Sequence, residues 1–182
     1  DSGFVIGVTD FAGADLVSGT GTISLGYFAT LSDTAVATSD FSTLTSDFQV
    51  YAGESTTFGK SGLNGLFVIS SDTVTRDFTS DFIGENIYLL AFNDDNTQGL
   101  VFKFSELFEA DPAEPTPSST QTPTFTLTGA NYLLGTNDSA LVGQIAPLEG
   151  LGAARMATLV PEPSTTALLG LAGLALILRR RK

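Results

Sequence analysis

Residues 86–104 read Asn86-Ile87-Tyr88-Leu89-Leu90-Ala91-Phe92, Asn93-Asp94-Asp95-Asn96, Thr97-Gln98, and Gly99-Leu100-Val101-Phe102-Lys103-Phe104. Two apolar arms around a turn rich in Asn and Asp specify a β-hairpin. The first arm has almost no polar face. A half-buried strand alternates, so this one is expected to run through the centre of a sheet, covered on both sides.

Outward from the hairpin the pattern stays strand-like. Upstream, Phe4, Ile6 and Val8 share one face, Gly13 and Gly19–Gly21 signal turns, and Thr22–Phe28 reads as a second strand. The period then changes. Phe41, Leu44, Phe48 and Tyr51 recur at helical spacing, with Ser39 or Asp40 as N-cap and Gly53 beyond the end, so one short amphipathic helix is expected. Gly59, Gly62 and Gly65 punctuate a loop before a strand at Leu66–Ser70, and residues 77–85 read as a turn or short helical piece.

Downstream, residues 110–123 hold four prolines among Ser, Thr and acids, the composition of an exposed loop. Its Thr116–Thr124 stretch could accept O-linked sugar, though a bare spacer is the simpler reading. Strands return at Phe125–Leu127, Tyr132–Leu134 and Leu141–Ile145, with a turn at Gly135–Asp138. These are too few for a second domain and are assigned to the same sheet system. Asn137-Asp138-Ser139 has the form of a glycosylation triplet and is read as part of that turn.

The expected fold is mostly β. It is an antiparallel β-sandwich or roll with one short helix, followed by a C-terminal hydrophobic helix. Residues 1–159 are assigned to an exported β-rich domain and residues 160–182 to a separate tail.

Composition narrows the chemistry. The 182-residue chain has a formal charge of −12, yet four of its eight bases lie in the tail, so the body carries nineteen acids against four bases, a net −15. Such a body repels phosphate backbones, which argues against nucleic-acid binding. There is no Cys, hence no disulfide or thiol chemistry, and no His, hence no ordinary general base near neutral pH and no usual zinc site. No resident cofactor and no catalytic residue is assigned. The first residue is Asp1 rather than Met, which fits removal of an export signal.

The tail is Val160-Pro161-Glu162-Pro163-Ser164, an apolar run to Leu178, and Arg179-Arg180-Arg181-Lys182. Counted from Ser164, fifteen residues span about 22 Å as a helix, short of a ~30 Å hydrocarbon core. The basic cluster acts as a stop-transfer signal retained on the cytoplasmic side. Pro161 and Pro163 favour an extended backbone open to a processing enzyme. This arrangement closely resembles the PEP-CTERM sorting domain. The resemblance implies handling by an exosortase, a membrane-embedded transpeptidase-like enzyme of bacteria that produce exopolysaccharide. It further implies a precursor inserted in the inner membrane through residues 165–178, and then a protein of the cell surface or extracellular matrix.

For the body, the expected role is structural or interactive, with an envelope-polysaccharide-binding module, with or without calcium, as the alternative. Asp94, Asn96, Gln98 and Gly99 would fill the first, third, fifth and sixth positions of a calcium loop. Ser105 then stands where a bidentate Glu is required, so a plain turn is preferred. Glu85, Glu106 and Glu109 are the acids in apolar context that glycoside hydrolysis could recruit. Tyr27, Tyr51, Tyr88 and Tyr132 could line a sugar groove, but core packing is the expected use.

Overall fold

The apolar arm after Asn86 becomes the middle of a sheet in the computed structural model, which describes residues 6–59, 66–67, 82–108, 131–137 and 153–159. In chain order the strands are β1 (Ile6–Thr9), β2 (Thr22–Phe28), β3 (Phe48–Thr56), β4 (Leu66–Phe67), β5 (Asn86–Phe92), β6 (Gln98–Leu107), β7 (Tyr132–Leu134), β8 (Thr136–Asn137), β9 (Ala153–Arg155) and β10 (Ala157–Thr158). Two short helices, α1 (Asp33–Val36) and α2 (Phe41–Asp47), lie between β2 and β3.

The larger sheet has the order β10-β6-β5-β2-β3, with β7 also paired to β6, and every pairing in it is antiparallel. The smaller sheet runs β4-β1-β9-β8 and includes one parallel pair, β1 with β9. From Ile87 to Phe92 every residue of β5 is buried, so the expectation of two-sided cover holds.

Alternation decides what covers each face. Ile87, Leu89 and Ala91 join Ile23, Leu25, Leu100, Phe102 and Phe104 in a core shared with Val8 and Ala154 of the smaller sheet. Tyr88, Leu90 and Phe92 point the other way, into a second core with Phe28, Phe48 and Val101, capped by Val36 of α1 and Leu44 of α2. The body is thus a two-sheet sandwich with helices over the outer face of its larger sheet. At one end Tyr51, Phe82 and Phe108 stack with centroids 4.9–5.4 Å apart.

Two segments pass between the sheets. β7 pairs in the larger sheet and β8 in the smaller, and the corner between them is Gly135 at φ +88°, where a Cβ would lie 2.6 Å from the Arg155 carbonyl oxygen. β9 and β10 make the reverse crossing through the buried Met156. Both corners therefore sit beside the outer edge of β6.

Two expectations need correction, and two strands fall where the sequence carries no signal. The helical spacing continues through Phe48 and Tyr51, but α2 ends at Asp47 and both residues belong to β3. Their rings are buried from the strand, Phe48 against Phe28 at 5.0 Å, because pairing β3 with β2 satisfies more backbone than another helical turn would. The single helix becomes two, since Ser32 caps a one-turn α1 by accepting from the Ala35 N–H. Strands β9 and β10 arise in an Ala-rich stretch with little strand propensity. The expected elements at 68–70, 110–123, 125–127 and 141–145, and the C-terminal hydrophobic helix, lie outside the described residues. Among the described residues no helix is long and apolar enough to cross a membrane.

Asp47 fastens the helical layer. Its carboxylate accepts from the Thr30 N–H at 3.0 Å, the Thr30 hydroxyl at 2.5 Å and the Leu31 N–H at 2.9 Å, and its carbonyl accepts from the Ala29 N–H. Burial pushes the Asp47 carboxyl up, but the bonds from Thr30, Leu31 and Ala29 outweigh it and hold the group below its ordinary range. A depressed folded pKa means that this contribution is complete above the unfolded value of about 3.9 and is lost as pH falls through the lower folded value. Asp47→Asn is expected to lower stability by about 1–2 kcal/mol at pH 7. In denaturant titrations the gap between the two proteins should narrow between about pH 5 and pH 2; a gap independent of pH would refute the assignment.

Candidate functional site: a neutral groove and the end of the body

The helices do not cover the whole outer face. Alternation along β2 turns Thr22 and Ser24 outward beside Leu90 and Phe92 of β5, and these four form the floor of a groove of about 330 Å³. Phe41 and Thr45 of α2 make one wall, Phe48, Val50 and Ser55 of β3 the other, and Asn96 stands at the end. Phe41 is held edge-on to Phe92, with centroids 4.8 Å apart. The Ser24 and Ser55 hydroxyls hydrogen-bond each other at 2.7 Å. The lining combines phenyl rings with hydroxyls, and none of its residues is ionisable. Such a surface suits an uncharged ligand with both apolar and hydroxyl-bearing faces.

β3 frames this groove with an irregular edge. Ser24 pairs with Ser55 and Gly26 with Val50, so two steps along β2 correspond to five along β3. At Gly26 a Cβ would lie 2.0 Å from the Gln49 carbonyl oxygen, which restricts the position to glycine. The bulge breaks the regular row of backbone groups that another strand would need.

Beside the groove lies a charged cluster that the sequence reading did not identify. Lys103 Nζ donates to Asp33 Oδ2 at 2.7 Å and sits 5.6 Å from the Tyr88 ring centroid, while the Tyr88 hydroxyl donates to Asp33 Oδ1 at 2.8 Å. Burial raises the Asp33 carboxyl, but the bonds from Lys103 and Tyr88 and the Lys103 charge overcome this and leave it below its usual range. Burial first, then the bond to Asp33 and the charges of Asp33 and Glu85, push the Tyr88 hydroxyl far above the phenol range, so it stays a donor. The hairpin register, with Lys103 opposite Tyr88, was the available signal. Every polar partner in the cluster is engaged, and its effect is to pin α1 to the sheet.

The acidic turn is likewise occupied with itself. Asn93 Oδ1 accepts from the Gln98 N–H at 2.9 Å, and Asp95 Oδ1 accepts from the Thr97 N–H and hydroxyl at 3.2 and 2.6 Å. Asn96 takes φ +58°, a conformation Asn tolerates. Among the described residues no three acids gather where they could hold a metal. Of the candidate acids, Glu85 is exposed; the Glu106 side chain and Glu109 lie outside the described residues. Tyr51 and Tyr88 are buried, Tyr27 and Tyr132 half-buried against the cores, and none lines the groove.

The tail's Pro161, Glu162 and Pro163, its apolar run at 165–178 and Arg179, Arg180, Arg181 and Lys182 lie outside the described residues. Immediately before them, Leu159 is buried in the outer core and its N–H donates to the Thr97 carbonyl at 2.8 Å.

Comparison with known families identifies a PEP-CTERM protein-sorting motif at residues 159–182. No curated protein and no solved structure matches the chain. The motif marks an exported protein that an exosortase sorts to the cell envelope.

Because Asn93 Oδ1 and Asp95 Oδ1 already accept from the turn's own donors, and no three acids gather among the described residues, the melting temperature should be the same in millimolar calcium and in chelator. A site filled at a hundred times its Kd would add about 2.7 kcal/mol, or roughly 5–10 °C for a domain of this size. A rise of that order, abolished by Asp94→Ala, would overturn the turn assignment.

Proposed function

We propose that the body is a non-catalytic structural or interaction protein of the cell surface or extracellular matrix. Its precursor is held in the inner membrane by residues 165–178, with Arg179–Lys182 on the cytoplasmic side, and an exosortase processes it at Pro161-Glu162-Pro163. The observation that carries this reading is the sorting motif at 159–182, which begins at the last core residue of the body. The lack of His and Cys supports a non-catalytic role, because acid–base work would then fall mainly to carboxylates with ordinary pKa values near 4. Among the described residues, the lining of the groove holds no carboxylate, so the groove itself offers no pair at the roughly 5–9.5 Å separation that glycoside hydrolysis uses.

The groove also favours a second reading, a module for neutral envelope polysaccharide. Its rings offer apolar faces for sugar C–H groups, and the Thr22 hydroxyl and the Asn96 amide offer hydrogen bonds, while the Thr45 hydroxyl, which donates to the Phe41 carbonyl, can still accept. Phe41→Ala would remove one wall and should abolish any melting-temperature rise caused by neutral oligosaccharides.

The sorting reading is checked by intact-mass measurement of surface protein from a host with the matching exosortase. Mature chain is expected to lack Arg179–Lys182, and alanines at Pro161, Glu162 and Pro163 should leave the precursor in the membrane fraction. Full-length chain at the surface would refute it.

A further inference from the structure

The sorting motif and the folded body share a boundary with no linker between them. Leu159 is only 8% exposed in the outer core, and its N–H is bound to the hairpin turn. Gly99 leaves room for this seat, since a Cβ there would lie a tight 3.2 Å from Leu159 Cδ2. Pro161 follows two residues later. Two residues of extended chain reach at most about 7 Å, so the motif begins within one side-chain layer of the body's surface. An enzyme that closes around an extended backbone needs more clearance than that.

The structure contains a way to provide it. β10 holds β6 through only two residue pairs, Ala157 with Gly99 and Thr158 with Gln98. Beyond those, its fastenings among the described residues are the Leu159 side chain, the partly buried Ala157 against the same core, and one hydrogen bond. The residue before it is firmer: Met156 is 1% exposed and its N–H donates to the Thr9 carbonyl at 3.0 Å. If β10 and Leu159 lift off while Met156 stays, the free chain to Pro161 becomes five residues, with a reach of about 17 Å. A short edge strand with few contacts belongs to the low-stability end of a fold's opening spectrum.

We propose that β10 and Leu159 form a releasable clasp, and that Leu159 is the positioning residue that governs how readily the motif reaches the processing enzyme. This rests on the sorting reading above. Processing then draws on the open fraction of the clasp, and its rate follows that fraction while opening is fast compared with cleavage.

The test locks the clasp without touching the motif. Gln98 and Thr158 are direct cross-strand partners, close enough to be bridged, and the chain has no other cysteine to mispair. The full-length Gln98→Cys/Thr158→Cys chain is followed by pulse–chase in a host with the matching exosortase, with and without reductant. The oxidised lock should be processed about tenfold more slowly than its reduced form, the equivalent of about 1.4 kcal/mol. Eight Gly/Ser residues inserted between Leu159 and Val160 should abolish that difference, because reach no longer depends on the clasp. Leu159→Ala should speed processing and Leu159→Met should restore the ordinary rate. Leu44→Ala, which weakens the same core from α2, should leave the rate unchanged. Equal rates for oxidised and reduced lock, or equal acceleration by Leu44→Ala and Leu159→Ala, would overturn the clasp alone. Absence of processed product from every chain, the unaltered one included, would overturn the sorting reading and the clasp with it.

Discussion

Burial of β5 on both faces is the constraint from which the rest of the body follows. A strand with Ile87, Leu89 and Ala91 on one side and Tyr88, Leu90 and Phe92 on the other cannot lie at a surface. Its backbone groups need strands on both flanks, which β2 and β6 supply, and each face needs its own cover. The small β4-β1-β9-β8 sheet covers one face. The other receives two helices totalling eleven residues, too few to roof a sheet of this width. The groove is what remains uncovered. Where the roof stops, the outward positions of β2 change from Phe28 to Ser24 and Thr22, so hydroxyls stand there instead of a phenyl ring.

The same constraint explains the ion pair on that face between Lys103 and Asp33. β6 presents Val101 and then Lys103 towards the helices, and an ammonium there must keep either water or a partner. Asp33 supplies the partner at 2.7 Å, and the Tyr88 ring and hydroxyl complete the surroundings. With Asp33 44% exposed, the pair gains little through charge alone, and its larger effect is to orient α1. Asp47 does the corresponding work for the loop entering α1. Two acids thus fix a layer that its few apolar contacts would hold only loosely.

Much of this was legible where one signal stood alone. β2, β5 and the hairpin turn were readable because a continuous or alternating apolar run ended at Gly, Asn or Asp. The reading failed where two periods overlapped. Phe41 and Leu44 fit a helix, yet Phe48 also fits the first inward step of a strand, and only pairing with β2 decides between them. It failed again at Ala153–Thr158, whose small side chains carry no periodic signal. Those strands exist because β1 and β6 offer them edges, which is non-local information. The groove was illegible for a similar reason. Thr22, Ser24, Thr45 and Ser55 are ordinary residues of strand and helix, and only the topology assembles them, whereas the tail motif is contiguous and was readable at once.

The two edges of the larger sheet are managed differently, and the difference bears on how the tail is attached. β3 is blunted within the strand by its bulge. The first half of the β6 edge is covered by two short pieces, both antiparallel to it, β7 along Val101–Phe102 and β10 along Gln98–Gly99. Lifting β10 would therefore bare only the end of β6, not its length. The residue bared includes Gly99, with no side chain to offer a partner, and the adjoining turn carries Asp94 and Asp95, whose charge discourages a second acidic chain from adding there. An edge cover that can leave without creating an adhesive edge is a suitable place to attach a segment that an enzyme must later reach.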